Sequence, residues 1–240
     1  MSSVSRFFVS GTPKPGQVLS LDRETAHQVR HVLRLRKGEQ VVLLDNSGYQ
    51  YRAAVSGLEP VMVKVENREP CPGEPDVVIH LFLGLLKGDH LDYVLEKGTE
   101  LGVGHFRPML TARCVARDPG EAKLERWERI VKEAAEQSGR GRLPTVHGPV
   151  AFEEACRQAE GVGLIPWEEA KDGGLRSALT EGVEKVSLYI GPEGGFEVSE
   201  IETAQRSGLK VVTLGRRILR ADTASLASVT AVLYQLGQLG

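Results

Sequence analysis

Residues Arg68-Glu69-Pro70-Cys71-Pro72-Gly73-Glu74-Pro75 place three prolines and a glycine in eight positions. Each proline fixes φ and lacks an N–H, so the segment can neither continue a helix nor sit in a central strand. It divides a chain of 240 residues, a length that allows one large domain or two small ones. The expected division is a domain over residues 1–70 and a second over 76–240.

The two sides have different patterns. Before the break, Val41 to Leu44 is a buried-type run, Asp45-Asn46-Ser47-Gly48 supplies turn chemistry, and Tyr49 to Val55 follows. After Glu59-Pro60, Val61, Val63 and Val65 alternate with Met62 and Lys64. Short strands joined by tight turns suggest a small β-barrel. One helix is expected within it, because Ala26, Val29 and Leu33 fall at helical spacing and Gly38 lies beyond a basic end. After the break, strand patterns at Val77–Leu83, Val162–Ile165, Val186–Ile190 and Val211–Leu214 alternate with helical ones. The helices are Leu91–Leu101, a segment striped by Leu124, Trp127, Val131 and Ala134, and Thr223–Leu236. This alternation predicts an α/β layer with a largely parallel sheet.

Composition narrows the function classes. Apolar residues at 41% allow a substantial core. Thirty basic against 32 acidic residues exclude coating nucleic acid by bulk charge, though not binding it through a local patch. Cys71, Cys114 and Cys156 are scattered with no C-x-x-C pair, against both a disulfide framework and a cysteine-rich zinc site. The longest apolar run, Val77 to Leu86, is far short of the roughly 20 residues that span a bilayer. The N-terminus also lacks a signal-peptide pattern. The expectation is a soluble, cytoplasmic protein with no membrane partner.

Two glycine turns stand out. Ile190-Gly191-Pro192-Glu193-Gly194-Gly195-Phe196 follows a strand, and Ser199 with Glu202 has the spacing of a capping box for the next helix. Its glycines fit neither the dinucleotide fingerprint nor the P-loop, and glycine with proline after a strand is more often just a tight βα turn. The second turn, Leu214-Gly215-Arg216-Arg217-Ile218-Leu219-Arg220-Ala221-Asp222-Thr223, ends at a helix start, where Asp222 reads as an ordinary N-cap. Three arginines there oppose the helix dipole, so stability does not account for them. Both turns belong at the carboxyl edge of the sheet, where open α/β sheets bind ligands.

A third cluster is basic: Arg23, Arg30, Arg34, Arg36 and Lys37 against the single acid Glu24. Helical spacing would put Arg30, Arg34 and Lys37 on one face, suited to phosphates or simply solvated. His27 and His31 resemble half a zinc site, but residue 28 is Gln where H-E-x-x-H needs Glu. Lys87 lies in a turn after the first strand of the second part, and Arg140 and Arg142 follow the helix that ends at Ser138-Gly139. The helix dipole alone favours basic residues at that end.

At these residues the chain resembles the RsmE-type 16S ribosomal RNA uridine N3-methyltransferases, of the SPOUT class of AdoMet-dependent enzymes. The resemblance rests on five segments in order: His31-Val32-Leu33-Arg34 with Gly38; Lys97-Gly98-Thr99-Glu100-Leu101-Gly102-Val103; Glu136-Gln137-Ser138-Gly139-Arg140-Gly141-Arg142-Leu143-Pro144; Ile190 to Gly195; and Leu214 to Arg220. It implies an α/β fold in which a small PUA-like β-barrel domain precedes a trefoil-knotted SPOUT methyltransferase domain. It implies that AdoMet (S-adenosyl-L-methionine) is held at Pro166, Trp167, Ile190, Gly191, Gly194, Gly195, Leu214, Gly215, Ile218 and Leu219. RNA phosphates would meet Arg30, Arg34, Lys37, Lys87, Arg140 and Arg142. The family usually has Glu-Thr after the Leu-Arg pair, whereas this chain has the shorter Asp222 before Thr223.

The implied reaction needs no metal. Uridine N3 becomes nucleophilic only as its proton leaves, so Arg220 is expected to stabilise charge spreading to the flanking carbonyl oxygens, and Asp222 to accept the proton. The implied partners are 16S ribosomal RNA or the small ribosomal subunit, and a second copy of the chain. Apolar residues on more than one face of the last helix (Leu226, Val229 and Leu233; Ala224, Ala227 and Ala231) call for cover on more than one side. The competing readings are a SPOUT methyltransferase acting on another RNA and a non-catalytic RNA-binding ribosome-assembly factor.

Overall fold

A computed structural model describes residues 4–115, 118–171 and 173–239. The chain forms two compact units, one of residues 1–74 with 132–143, the other of 75–131 with 144–240. A boundary at the proline-rich segment does not foresee that residues 132–143 belong with the first unit.

In the first unit, β1 (Ser5–Phe8), β2 (Val18–Ser20), β3 (Gln40–Leu44), β4 (Tyr49–Leu58) and β5 (Val61–Pro70) form one sheet in the order β1-β3-β4-β5-β2. β1 runs parallel to β3 and the remaining pairs are antiparallel. Alternation sets its inner face: Tyr51, Ala53 and Val55 of β4 and Val61, Val63 and Val65 of β5 are buried together with Phe7, Val41 and Leu43. Irregular register at Arg52/Ala53 and Val55/Gly57 bends the β4–β5 ladder. The last turns of α3 (Glu121–Ser138) and the following loop are tied to this unit. Glu136 Oε1 accepts the Phe8 N–H at 2.9 Å, and Asn46 Oδ1 accepts the Leu143 N–H at 2.7 Å.

The expected helix is shorter than its spacing suggests. Asp22 caps α1 (Arg23–His27) by accepting the Thr25 N–H, and a wide π-type turn continues over Gln28–Val32. The Leu33 N–H bonds back to Gln28 O at 2.8 Å, and Arg34 then turns left-handed at φ 53°. The helix therefore ends before Arg34, and Arg30, Arg34 and Lys37 do not share a helical face. Val29 is fully buried, while Leu33 is 43% exposed.

The second unit is built on seven parallel strands in the order β12-β10-β11-β6-β7-β8, with β9 also on β7. They are β6 (Val78–Gly84), β7 (Val103–Leu110), β8 (Thr145–Val146), β9 (Val150–Ala151), β10 (Val162–Pro166), β11 (Lys185–Ile190) and β12 (Lys210–Val212). The helices are α2 (His90–Leu101), most of α3, α4 (Phe152–Arg157), α5 (Leu175–Ala178), α6 (Val198–Arg206) and α7 (Ala221–Gln235). Both faces are covered, as a parallel sheet requires. Ile79, Leu81 and Leu83 of β6 pack with Leu91, Trp127 and Val229 from α2, α3 and α7. Phe82 points the other way, into a second core with Tyr189, Phe152 and Ile201. A buried polar pin joins α2 to α3, where Asp92 accepts from Trp127 Nε1 and Arg126 Nε, both at 2.9 Å.

Three local expectations shift. α6 is capped at Glu197, whose N–H reaches Glu200, two residues before the expected Ser199–Glu202 pair. The cap of α7 is Arg220, so Asp222 lies inside the first turn. The buried face of α7 is Ser225, Ser228, Val229, Val232 and Leu233, with Leu226 outside it. No helix among the described residues is long and apolar enough to cross a membrane.

Candidate active site

The carboxyl ends of β6, β10, β11 and β12 converge on one cavity of about 380 Å³. That volume lies within the roughly 300–1,000 Å³ typical of small-molecule sites. Leu86 comes from beyond β6, Pro166 and Trp167 from β10, Ile190, Gly191, Gly194 and Gly195 from β11, and Leu214, Gly215, Ile218 and Leu219 from beyond β12. The ten residues expected around a cofactor thus line a single space, with Arg220 and Asp222 beside them. The convergence follows from strand order. β11 lies between β10 and β6, so turns distant in sequence emerge side by side.

Close packing shapes the first turn. A Cβ on Gly84, at the end of β6, would lie 2.6 Å from the Pro192 nitrogen, so the β11 turn rests directly on bare backbone. Gly195 has φ +69°, and a Cβ there would meet Glu168 Oε1 at 2.6 Å. The turn is braced from outside by Arg113 Nη1 donating to Gly194 O at 2.7 Å and by the Lys87 N–H donating to Glu193 Oε1 at 2.8 Å. Beyond β10, the Trp167 N–H bonds to Val212 O at 3.0 Å and holds that strand end against β12.

The second turn brings the charge. Among the described residues no carboxylate lies within ion-pair distance of Arg216, Arg217 or Arg220. Arg217 and Arg220 line the cavity. Asp222 Oδ2 is 2.9 Å from His90 Nδ1, and Asp222 Oδ1 accepts the Thr223 N–H. Burial raises the Asp222 pKa, but the hydrogen bonds from His90 and Thr223 outweigh it and hold the carboxyl below its ordinary value.

The residues expected to meet RNA separate. Lys87 is exposed at the end of β6 but does not line the cavity. Arg140 is 4% exposed, and its Nη2 is 3.0 Å from Glu74 Oε2. Arg140 is thus buried and paired within the first unit, and it does not present an exposed charge to phosphates. Arg142 is exposed, with its N–H on Glu74 Oε1 at 3.0 Å. Arg30 is paired with Glu59 at 2.6 Å, whereas Arg34 and Lys37 are exposed with no ion pair among the described residues. His27 and His31 lie with ring centroids 4.8 Å apart, and no group of three or more candidate ligands able to hold a metal occurs among the described residues.

Sequence reasoning missed His90 and Glu168. His90 stands alone after Lys-Gly-Asp, 132 positions from its partner, with no spacing pattern to mark it. Glu168 carries no motif, and its signal was only that it follows the strand ending at Pro166.

Comparison with known proteins places this geometry. Residues 73–233 match the RNA methyltransferase domain family. The chain is 30% identical to ribosomal RNA small subunit methyltransferase E of Bacillus subtilis, over 97% of each chain. It is 34% identical to the Synechocystis protein of the same name, over 90% of this chain and 73% of that one. The crystal structure of ribosomal RNA small subunit methyltransferase E from Neisseria gonorrhoeae, bound to S-adenosyl methionine, superposes with a TM-score of 0.91 at 30% identity, covering 98% of both chains. Fold, cavity and sequence agree over nearly the whole length, and the chain belongs to the ribosomal RNA small subunit methyltransferase E family of RNA methyltransferases.

Proposed function

We propose that this chain transfers the methyl group of AdoMet to N3 of a uridine in 16S ribosomal RNA, at the cavity on the carboxyl edge of the sheet. The observation that carries the reading is the meeting of two glycine turns with Arg217 and Arg220, which have no ion pair among the described residues, in one 380 Å³ space. The residues present fit the cofactor. The turn from Ile190 to Gly195 offers backbone amides and carbonyls, and Leu86 and Trp167 offer apolar surface for a ring. Bound AdoMet supplies a methyl on a sulfonium, which is already a good leaving group. The chain's own contribution is to orient the uridine, favour loss of the N3 proton and stabilise the resulting charge. Arg220, with no carboxylate partner among the described residues, is suited to donate to a uridine carbonyl oxygen as it becomes negative.

The first unit serves in this reading as a PUA-like RNA-binding domain, with Arg34 and Lys37 open to phosphates. The second is a SPOUT domain whose chain path closes a trefoil knot. The active form is a cytoplasmic homodimer. Its support is a shallow groove of Tyr93, Leu226, Ala227 and Thr230 beside Asp222, with Tyr93 49% exposed. A second copy seated there would cover the apolar residues of α7 that its own unit leaves outside. Sedimentation should give a dimer, and a monomer active at the same concentration would remove this part of the reading.

Calorimetry tests the cofactor site. Gly194→Val must push aside the Arg113 stem, because even a Cβ there lies 3.2 Å from Arg113 Cβ. The variant should lose AdoMet affinity by at least tenfold. Parental affinity would place the cofactor elsewhere.

A further inference from the structure

We infer that His90 is the proton acceptor for uridine N3 and that Asp222 acts through it as a positioning residue. This rests on the uridine-N3 reading above and goes beyond it by naming the base. His90 opens α2 and Asp222 lies in the first turn of α7. Both line the cavity, and His90 Nδ1 is 2.9 Å from Asp222 Oδ2. An ionised carboxylate only accepts hydrogen bonds, so Nδ1 carries the hydrogen and donates it. With its hydrogen on Nδ1, the base form of the ring has its lone pair at Nε2, the position a base needs. The His90 side chain lines the cavity and is 50% exposed, so the ring is open to a substrate entering there. Asp222 is the poorer acceptor. One of its oxygens holds His90 and the other accepts from the N–H and hydroxyl of Thr223.

The other charged groups around the cavity are Arg217 and Arg220 before α7, Glu168 after β10 and Glu193 after β11, with Lys87 and Asp89 just ahead of His90 on its own segment. None of them is hydrogen-bonded to the ring among the described residues, where Asp222 is its one hydrogen-bond partner. In the proposed step the N3–H bond breaks and the proton moves to His90 Nε2. The electron pair left on N3 forms the new N–CH₃ bond as the methyl's bond to sulfur breaks. The imidazolium is stabilised by Asp222 until its proton passes to water.

The test uses the full chain with 16S RNA, single-turnover kinetics and 3-methyluridine as the product. His90→Gln should lower the rate at neutral pH by about 10²- to 10⁴-fold, the usual contribution of a general base. The deficit should shrink steadily as pH rises and uridine ionises without help, whereas a merely structural loss would persist. AdoMet affinity should stay within about threefold by calorimetry. Nitrogen-detected NMR of the protein alone gives a readout independent of turnover. Neutral His90 should carry its hydrogen on Nδ1, and Asp222→Asn should shift it towards Nε2. If the wild type makes no 3-methyluridine, the underlying reading falls and this one with it. If it does, and His90→Gln keeps the parental rate and pH profile or His90 carries its hydrogen on Nε2, only the role of His90 is overturned.

Discussion

The arginines of the two units look alike in sequence and behave differently in the structure. Around the cavity, Arg217 and Arg220 stand at the start of α7 with no carboxylate partner among the described residues, although the helix dipole there disfavours positive charge. In the first unit, Arg140 is buried against Glu74 and Arg30 is held by Glu59. Both groups sit in basic stretches; the sequence points Arg220 to charge developing on the uridine, and Arg30 and Arg140 to RNA phosphates. What separates them is whether the protein already satisfies their charge. An arginine whose carboxylate lies within the same unit has a structural account. Arg217 and Arg220 are exposed at the cavity, so their charge is open to a partner from outside.

Arg140→Ala gives the largest expected effect that would break this contrast. Removing one member of a buried pair costs roughly 3–5 kcal/mol, so urea unfolding of the full chain should show a loss of that order. Exposed Arg142→Ala should cost little. A stable Arg140→Ala protein that binds RNA poorly would return Arg140 to the RNA surface.

Arg220→Ala tests the other side. Loss of one donor to a developing negative charge should slow methyl transfer by about 10²- to 10³-fold. Unfolding free energy should change little, since no ion pair is broken. A large stability loss with normal turnover would make Arg220 structural as well.

A third effect concerns Arg107, which is intermediate between the two groups. It lies beside the buried His80, donating to His80 Nδ1 at 3.4 Å and to Gln158 Oε1 at 3.1 Å. Burial, with the neighbouring His105, pushes the His80 pKa down to about 4 from 6.5, and Glu160 only partly offsets this. The unfolded chain therefore binds a proton more readily between those values. Stability is full above pH 6.5, falls as pH drops through that window, and levels off below about 4, for a loss of up to roughly 3 kcal/mol. His80→Phe should flatten the acid limb of unfolding. An unchanged limb would show that His80 does not control it.

The smallest effect concerns the exposed basic residues. Arg34→Ala should reduce the salt dependence of RNA binding by about 0.7 in log–log slope, as for one lost phosphate contact on a single strand. Arg30→Ala should change it less, because its charge is already shared with Glu59. Equal changes would mean that the Glu59 pair opens when RNA binds.

Much of the fold could be read from the chain because its signals are local. The alternation of Val61, Val63 and Val65 marks β5, and the runs at Val186–Ile190 and Val162–Ile165 mark buried parallel strands. β7 escaped because Gly104, His105, Arg107 and Pro108 interrupt its apolar pattern, and its polar residues face the His80 cluster. The end of the first helix escaped because its π-type turn and the left-handed Arg34 have no compositional signature. The glycine turns were visible, since the need for close backbone approach is written into the residues themselves. The His90–Asp222 contact was not, because it depends on α2 and α7 packing together across 132 positions.

The central claim is that the cavity between the two glycine turns methylates a uridine base. Its most direct test incubates the chain with 16S RNA and methyl-labelled AdoMet, digests the RNA to nucleosides and weighs the labelled product. The account predicts label in 3-methyluridine, formed by the wild type and strongly reduced for Gly194→Val and Arg220→Ala. Label in a ribose-methylated nucleoside, or no label in RNA despite bound AdoMet, would contradict it.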